Sequence, residues 1–253
     1  MNIPFIKMHG LGNDYVYIDC FRPETSALIE RTDIPSLARA VSDRHRGVGS
    51  DGLVLIMPSS NADVRMRMFN ADGSEAEMCG NAARCVAKYA FEQGLCGQTM
   101  TLETLAGIKN ITIQAQENRV KSVTVEIGVT TGNPHEVFFV DKSNDLNPSF
   151  EHLRSATQYA DLRARKNVEC AFVDNRHEIT MRVCERGTGE TQACGTGACA
   201  TAVAAMDKGL TENEVTVHMP GGDVTVYRDE KGIIYLTGTA TTVFAGTYFI
   251  DEK

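Results

Sequence analysis

The 253-residue sequence lacks several features that mark particular protein classes. No apolar run approaches the ~18 residues of a membrane helix. The amino terminus has neither the apolar core nor the cleavage site of a signal peptide. No low-complexity segment or Pro/Gly/Ser-rich linker interrupts the chain. We therefore expect a cytoplasmic protein, and in that reducing compartment its eight cysteines are expected as thiols.

Basic residues and closely spaced cysteines are also scarce. Lys and Arg together number 25 against 33 Asp and Glu, so the net charge is −8. This balance argues against nucleic acid and against an anionic membrane surface as partners. None of the cysteines forms a Cys-x2-Cys pair, which disfavours a zinc ribbon or a thioredoxin-type motif. A hydrophobic content of 42% is that of an ordinary globular protein.

What the chain does have is a cysteine where a glycine-rich turn meets a helix, in residues 190–200 (ETQACGTGACA). The Ala-rich run 198–206 predicts a buried helix, and Thr196 with its neighbouring glycines suits a turn and an N-terminal cap. A thiol at this position faces unpaired backbone N–H groups and the positive end of the helix dipole, which favour the thiolate. Cys194 is therefore a candidate reactive cysteine.

The same pattern occurs earlier, in residues 75–85 (EAEMCGNAARC) around Cys79. A Gly-Asn turn precedes each cysteine at a similar distance: Asn13 lies 79 − 13 = 66 positions before Cys79, and Asn133 lies 194 − 133 = 61 positions before Cys194. Two pairs of anchors in the same order predict two copies of one domain. A coincidence of short motifs is the alternative.

The remaining pattern is mostly strands, with two or three helices in each half. Residues 34–42 and 150–159 predict helices, and two runs of short alternating segments, 99–127 and 215–237, predict antiparallel meanders. We expect an α+β fold with domains at 1–117, carrying Cys79, and 118–241, carrying Cys194.

Paired cysteines are compatible with four kinds of chemistry. A metal site would need further His or Cys at ligand spacing, and none is close by. A covalent nucleophile needs one thiol and leaves the second copy unexplained. A redox disulfide stays open, because two facing thiols can oxidise. An acid and a base acting on opposite faces of one carbon would use both copies and would invert a stereocentre.

The motifs resemble those of the diaminopimelate epimerase family of cofactor-independent amino-acid epimerases. They run in family order across nearly the whole chain. The matching segments are 5–19 (FIKMHGLGNDYVYID), 43–56 (DRHRGVGSDGLVLI), 68–85 (MFNADGSEAEMCGNAARC), 132–135 (GNPH), 167–169 (NVE), 185–200 (ERGTGETQACGTGACA) and 219–223 (MPGGD).

The resemblance implies two pseudo-symmetric α+β domains, each a mainly antiparallel strand barrel around a central helix, with the active site in the cleft between them. It implies that the final segment, 242–253, returns to the N-terminal domain and that the protein is a homodimer, with Phe244 in the strand concerned. The implied reaction interconverts LL- and meso-diaminopimelate in lysine and peptidoglycan precursor biosynthesis. The partner is a small amino acid, and neither pyridoxal phosphate nor a metal is used.

The resemblance also assigns residues. Cys79 and Cys194 match the base and acid pair, and His135 and Glu185 match residues that tune the thiols. Glu185 and Arg186 match a substrate-binding pair, with the arginine on the distal carboxylate. The substrate-binding asparagines match Asn13, Asn70, Asn133 and Asn167. The backbone donors that hold the reacting carboxylate match Gly80, Asn81, Gly195 and Thr196.

The sequence departs from the family pattern at a few places. The segment between Gly128 and Gly132 is markedly short. Gly52 stands where some members carry Gln, and Ala82 replaces the more usual Gly after Cys-Gly-Asn. Because the shortening puts substrate identity in doubt, a sibling racemase acting on another amino acid, such as histidine, is the alternative. A thiol-redox or binding protein without turnover is the rival from another class.

Overall fold

The computed structural model describes residues 2–130 and 134–250. By its internal contacts the chain divides into two compact units. Within the described residues, unit 1 comprises 2–125 and 239–250, and unit 2 comprises 126–130 and 134–238. The boundary between the units follows residue 125, whereas the predicted boundary follows residue 117. The returning segment begins at residue 239 rather than at the predicted 242.

The elements follow one another along the chain as alternating strands and helices. The first group is β1 (Asn2–Gly10), β2 (Asn13–Asp19), α1 (Pro23–Ile29), α2 (Ile34–Ser42), β3 (Gly52–Met57), β4 (Val64–Asn70), β5 (Glu75–Ala76), α3 (Gly80–Glu92), β6 (Thr99–Thr104), β7 (Gly107–Gln116) and β8 (Arg119–Gly128). The second group is β9 (His135–Val140), α4 (Leu146–Ser155), α5 (Ala160–Arg165), β10 (Asn167–Asn175), β11 (Glu178–Glu185), β12 (Gly189–Thr191), α6 (Gly195–Asp207), β13 (Glu214–Met219), β14 (Gly222–Arg228) and β15 (Ile234–Gly238). The returning segment of unit 1 forms β16 (Thr241–Phe249).

The two units repeat one strand topology. In unit 1 the hydrogen-bonded order is β16-β1-β2-β3-β4-β6-β7-β8, and in unit 2 it is β9-β10-β11-β13-β14-β15. The pair β2–β3 is parallel, β3–β4 antiparallel and β4–β6 parallel, and the pairs β9–β10, β10–β11 and β11–β13 repeat this series. A short strand precedes each cysteine, β5 on β4 and β12 on β11. The predicted repeat and the predicted α+β fold are confirmed.

The helices lie where the strand order requires them. Parallel neighbours cannot be joined by a tight turn, so each parallel pair has a helical crossover. Thus α1 and α2 connect β2 to β3, α3 connects β4 to β6, α4 and α5 connect β9 to β10, and α6 connects β11 to β13. The predicted meanders are the antiparallel sets β6–β7–β8 and β13–β14–β15.

One helix in each unit has the central place that the resemblance implies. Helix α6 packs against β9, β10, β11, β13, β14 and β15, and α3 packs against β1, β4 and β7. The sequence of α6 (GTGACATAVAAMD) is small and apolar on nearly every side, which allows strands to approach it all round. A second core lies outside each sheet. In unit 1 Leu37 packs near Ile18 and Leu55, and in unit 2 Phe150 packs near Val168.

Several helix bounds differ from the predicted ones. Helix α6 begins at Gly195 rather than Ala198, so Thr196 lies in its first turn and Cys194 is the N-cap. Helix α4 begins at Leu146 and contains Pro148, which is tolerated because first-turn N–H groups have no helical partner. Helix α1, with proline at its first position, was not predicted. Within the described residues no helix has the length and apolarity needed to cross a membrane.

Candidate active site

The two predicted cysteines occupy the same backbone position in their units. Cys79 is the N-cap of α3, with φ −137° and ψ 124°, and Cys194 is the N-cap of α6, with φ −127° and ψ 109°. Both helices have 13 residues. The first helical bonds run from Ala83 N to Cys79 O and from Ala198 N to Cys194 O, both at 2.9 Å. The N–H groups before them, including those of Gly80, Asn81, Gly195 and Thr196, have no partner within the helix and suit an anionic ligand.

In unit 1 the thiol of Cys79 contacts Asn13, which in turn contacts Asn81. The thiol donates to Asn13 Oδ1 at 3.5 Å, and Asn81 Nδ2 donates to the same oxygen at 3.2 Å. Asn13 is the first residue of β2, and it follows a tight turn in which Leu11 and Gly12 both have positive φ. The turn and the helix start therefore bring together three residues that the sequence singled out separately.

A charged cluster anchors Asn13 from the other side. Asn13 Nδ2 donates to Asp51 Oδ2 at 2.8 Å, and Arg44 Nη2 donates to Asp51 Oδ1 at 2.9 Å and to Asp14 Oδ1 at 2.8 Å. The buried ammonium of Lys7 also pairs with Asp14. Burial acts to raise the pKa of Asp14, but the hydrogen bonds and charges of Arg44 and Lys7 outweigh it and lower this pKa. The Gly-rich loop 43–52 thus contributes Asp51, which holds Asn13, and Arg44, which holds Asp51.

Asn70 is the predicted unit 1 residue that lies apart from this group. It ends β4 opposite Gly52, and its Nδ2 donates to Ser74 Oγ at 2.9 Å, within its own turn. The backbone holds this turn near the anchor, because Ala71 N donates to Asp51 O at 3.0 Å. Gly52 itself has no room for a side chain, since a Cβ there would lie 2.1 Å from Phe69 O.

In unit 2 the thiol of Cys194 is buried among oxygen atoms. Its sulfur lies 3.3 Å from Glu185 Oε2, to which the thiol donates, and 3.5 Å from Thr196 Oγ1. Asn167 Nδ2 lies 3.9 Å from the sulfur. Glu185 ends β11 and is held in place by Thr191, whose hydroxyl donates to Glu185 Oε1 at 2.5 Å.

This environment corrects the expectation that the helix start favours the thiolate at Cys194. Burial raises the pKa of Cys194 well above its usual value, and the carboxylate of Glu185 raises it further. Hydrogen bonds from Thr196 and from the N–H of Gly197 lower the pKa, but they do not offset the first two effects. Cys194 is therefore held as a thiol, because a thiolate next to a carboxylate in a buried site is unfavourable.

His135 binds a carboxylate that the sequence did not single out. His135 Nδ1 lies 2.7 Å from Glu169 Oε1, and both side chains are buried, at 4% and 0% exposure. Glu169 packs against the first turn of α6, since a Cβ on Gly197 would lie 2.7 Å from Glu169 Oε1 and 3.4 Å from Cys194 Sγ. Burial raises the pKa of Glu169, partly opposed by the bond to His135. The structure thus places Glu169 between His135 and the first turn of α6.

The remaining predicted residues of unit 2 lie at the same end of the sheet. Asn167 begins β10, next to His135 in the parallel register, and its Oδ1 accepts from the backbone N–H of Arg186 at 2.9 Å. The Arg186 side chain is exposed. Asn133 lies outside the described residues.

The other six cysteines are buried or half-buried. All eight cysteines lie in the described part of the chain, as thiols rather than disulfides. Burial raises the pKa of Cys20 to about 12 and those of Cys85, Cys96 and Cys170 to about 11. Across residues 2–130 and 134–250, no cluster of three or more His, Cys, Asp or Glu residues has a geometry that suits a metal ion.

Comparison with known proteins decides the family. A sequence model described as diaminopimelate epimerase matches residues 5–130 and 127–243. A diaminopimelate epimerase of Desulfovibrio desulfuricans is 42% identical, covering 97% of this chain and 98% of its own length. One of Acetivibrio thermocellus is also 42% identical, covering 98% and 99%. The chain belongs to the diaminopimelate epimerase family.

The alignments with these diaminopimelate epimerases run over 294 and 286 residues, more than the 253 of this chain, so both relatives carry residues that it lacks. Solved structures of more distant proteins share the fold. A PhzF-family phenazine biosynthesis protein of Bacillus anthracis has a TM-score of 0.70 at 19% identity, covering 99% of this chain and 100% of its own. A hydroxyproline epimerase of Agrobacterium vitis has a TM-score of 0.69 at 15% identity, covering 99% and 93%.

Sequence reasoning missed three charged residues of this diaminopimelate epimerase family member, Asp51, Arg84 and Glu169. Each had a signal. Arg84 and Glu169 are charges inside apolar runs, where an unpaired charge is unfavourable and a partner is expected. Asp51 follows a glycine-rich loop in a motif that the resemblance already covered. The partners of Asp51 and Glu169 come from segments distant in sequence, whereas Arg84 binds both Asn81 of its own helix and the distant Thr239.

Proposed function

We propose that this protein is a diaminopimelate epimerase, an isomerase that interconverts LL- and meso-2,6-diaminopimelate. The observation that carries the proposal is the pair of cysteines at matching helix N-termini, Cys79 and Cys194, in a chain 42% identical over nearly its whole length to proteins of that name. Inversion at the α-carbon needs a base that removes a proton and an acid that returns one on the opposite face. Each unit supplies one thiol for this purpose.

The surroundings of the thiols suit an acid and a base. Burial and the carboxylate of Glu185 hold Cys194 in the thiol form, which is the form that donates a proton. In the opposite direction the roles exchange, as microscopic reversibility requires. The first-turn N–H groups at Gly80, Asn81, Gly195 and Thr196 are the donors proposed for the substrate carboxylate, whose negative charge grows as the carbanion forms.

Diaminopimelate differs from most amino acids by its second amino-acid end. A carboxylate there suits Arg186, whose guanidinium is exposed, and an ammonium there suits the carboxylate of Glu185. We assign the four asparagines to substrate binding: Asn13, Asn70, Asn133 and Asn167. The proposed reaction uses protein groups alone, without pyridoxal phosphate or a metal.

The proposed setting is the cytoplasm, in lysine and peptidoglycan precursor biosynthesis. A reducing compartment keeps both catalytic cysteines as thiols, which the reaction needs. The net charge of −8 supports a small-molecule partner rather than nucleic acid or an anionic membrane.

We propose a homodimer formed along β16. This strand pairs with β1 on one side and ends the strand order of unit 1, and it exposes Val243 (55%), Phe244 (46%) and Phe249 (69%). An apolar edge strand of this kind favours pairing with another chain. Sedimentation equilibrium of the purified protein gives the subunit number.

The first experiment is proton NMR of the reduced protein with LL-diaminopimelate in D2O and no added cofactor. We expect loss of the α-proton signal together with appearance of the meso product. Cys79→Ala and Cys194→Ala should each lower the rate of epimerisation about a thousandfold, because each removes a general acid–base group. Cys96→Ala is the matched control. Because Cys96 lies at neither of the two helix N-termini, this variant should keep wild-type activity.

The other outcomes separate the alternatives. If diaminopimelate keeps its α-proton while another amino acid such as histidine exchanges, the two-thiol reaction stands and the substrate is different. If no amino acid in a broad panel exchanges, the epimerase proposal is wrong. Full activity after loss of either catalytic cysteine alone would also contradict it and would favour a redox or binding role.

A further inference from the structure

A buried guanidinium lies in the second turn of α3. The Arg84 side chain has no exposed surface, and it is the largest side chain in the described part of the protein to be fully buried. Arg84 Nη2 donates to Asn81 Oδ1 at 2.7 Å, and Arg84 Nε donates to Thr239 O at 3.2 Å. The backbone leaves room for it, since a Cβ on Gly10 would lie 3.0 Å from Arg84 Nη2.

This guanidinium sets the direction of a hydrogen-bonded chain that ends at Cys79. A guanidinium can only donate, so the carbonyl oxygen of the Asn81 side chain must face it. The Asn81 NH2 group then faces Asn13 Oδ1, at 3.2 Å. Asn13 in turn directs that oxygen to the Cys79 sulfur, at 3.5 Å.

The other end of the chain is set by a group of the opposite kind. An ionised carboxylate can only accept, so Asp51 requires the NH2 group of Asn13, which donates to it at 2.8 Å. A donor-only group at one end and an acceptor-only group at the other leave a single orientation for both amides. Neither Asn81 nor Asn13 can turn over without losing a bond to a charged group, and such bonds are the stronger ones.

We propose that Arg84 is a positioning residue for Cys79: it locks the Asn81 and Asn13 amides so that an acceptor oxygen is held against the Cys79 thiol. The proposal rests on the proposed function for its catalytic consequence, but the locked amide chain is testable without substrate. Arg84 acts through Asn81 and is not assigned any contact with substrate. The second hydrogen bond of Arg84, to Thr239 O at the start of the returning segment, fixes the position and orientation of the guanidinium.

Unit 2 provides an internal control. Counted from the cysteine, the positions of Asn81 and Arg84 correspond to Thr196 and Cys199, so this chain of amides is absent at Cys194. If Arg84 acts only by fixing the Asn81 and Asn13 amides, its loss should change the amides near Cys79 and not those near Cys194. A general loss of stability would affect both sides.

The test compares Arg84→Met and Arg84→Lys with the control Val86→Ala. Val86 is buried in the same helix but takes no part in the hydrogen bonds that link Arg84 to Cys79. Side-chain amides are followed by NMR after asparagine-specific 15N labelling, and the signals of Asn13 and Asn81 are assigned by substitution of each to Asp. In Arg84→Met we expect their NH2 hydrogens to exchange with water at least tenfold faster, because hydrogen-bonded amides are protected. The Asn167 amide in unit 2 should not change.

Activity on diaminopimelate, measured on the same samples, should fall at least tenfold in Arg84→Met. Arg84→Lys should restore part of both readouts, since an ammonium can still donate to Asn81 Oδ1 but cannot hold Thr239 O in the same fork. Unchanged amide exchange in Arg84→Met, or an equal change in Val86→Ala, would overturn the proposal. Wild-type activity in both Arg84 variants with altered amide exchange would overturn its catalytic part. If the wild-type protein does not act on diaminopimelate, the proposed function fails while the amide measurement still decides the role of Arg84.

Discussion

Cys79 and Cys194 stand at the same place in two copies of one fold, yet their neighbours differ in charge. Around Cys79 the polar groups include the Tyr15 hydroxyl and two neutral amides, which are locked between a buried guanidinium and a carboxylate. Around Cys194 they are the Thr196 hydroxyl, the Asn167 amide and the carboxylate of Glu185, which lies in contact with the sulfur. The two helix starts share backbone angles to within about 15°, so the difference lies in side chains alone.

The strand registers show where the copies diverge. Tyr17 pairs with Val54 in unit 1, and Val137 pairs with Glu169 in unit 2, so an apolar residue in one copy corresponds to a buried acid in the other. Three positions after each cysteine, unit 1 has an alanine, Ala82, and unit 2 has a glycine, Gly197. The glycine is required because the carboxylate of Glu169 occupies the space that a methyl group would need.

The comparison separates two tasks. The repeated backbone places a thiol at a helix N-terminus twice, and at Cys194 burial and the neighbouring carboxylate decide the protonation of the thiol. A helix start contributes only a modest preference for the thiolate, and at Cys194 burial and a neighbouring carboxylate exceed it. Under the proposed reaction, unequal surroundings let one thiol be an acid while the other is a base. Three substitutions test this difference.

The largest expected effect is the loss of stability when the charged cluster of Lys7, Asp14, Arg44 and Asp51 on the Cys79 side is broken. Asp14→Asn removes the carboxylate that Lys7 and Arg44 share, and it leaves the buried Lys7 ammonium without its counter-ion. We expect the free energy of unfolding to fall by about 3 kcal/mol, measured by urea denaturation. Asp223→Asn, an exposed partner of His218, is the control and should change it by less than about 0.5 kcal/mol.

The pH dependence of the Asp14 effect has a definite sign. The folded protein lowers the pKa of Asp14 below the ordinary 3.8. The stability that Asp14 contributes is therefore present above that ordinary value, and it is lost as the pH falls through the lowered value. Wild type and Asp14→Asn should converge in acid. A constant difference down to the acid transition would show that the loss does not arise from the carboxylate charge.

The next effect concerns the space between Glu169 and Cys194. In Gly197→Ala the new Cβ would lie 2.7 Å from Glu169 Oε1 and 3.3 Å from Cys194 Cβ. We expect the free energy of unfolding to fall by about 2 kcal/mol, the cost of overpacking a well-filled site, and epimerase activity to fall as well. Gly97→Ala, whose Cβ would lie 3.9 Å from the nearest atom, should leave both unchanged.

A double-mutant cycle sharpens this prediction. Glu169→Val introduces the residue type that unit 1 has at the corresponding position. In that background the loss caused by Gly197→Ala should shrink, because the obstructing carboxylate is gone. An equal loss in both backgrounds would assign the need for glycine to the helix backbone instead.

The smallest effect is on the titration of one thiol. Glu185→Gln removes the negative charge that lies 3.3 Å from the Cys194 sulfur. The pKa of Cys194 should fall, so its alkylation by iodoacetamide should begin at a pH about one unit lower. Peptide mass analysis measures Cys79 in the same sample, and its profile should not move. Glu190→Gln, on the neighbouring strand β12 and bound to Arg182, is the matched control. If the Cys194 profile stays in place, Glu185 does not set its protonation.

Much of the fold was predictable because its signals are local. Alternating residues marked the two meanders, the first Gly-Asn motif marked a turn and the two Cys-Gly motifs marked helix starts, all of which the structure confirms. The repeat was also visible, because both copies retained these anchors in order. The helix bounds were less accurate, since the first turns of α6 and α4 contain glycine and proline, at Gly195 and Pro148, residues that disfavour the helix interior.

The residues at the two helix starts and the family similarity can be recognised without a structure, because motif spacing and helix period are properties of neighbouring residues. Only the tertiary structure decided what surrounds each thiol. Asp51, Arg84, Glu169 and Glu185 reach their partners across 9 to 155 residues of chain. Burial and charge act through space, and so the protonation of Cys194 and the contacts of Asn13 with Asn81 and Asp51 depend on residues distant in sequence, whereas the Arg84–Asn81 bond is local to α3.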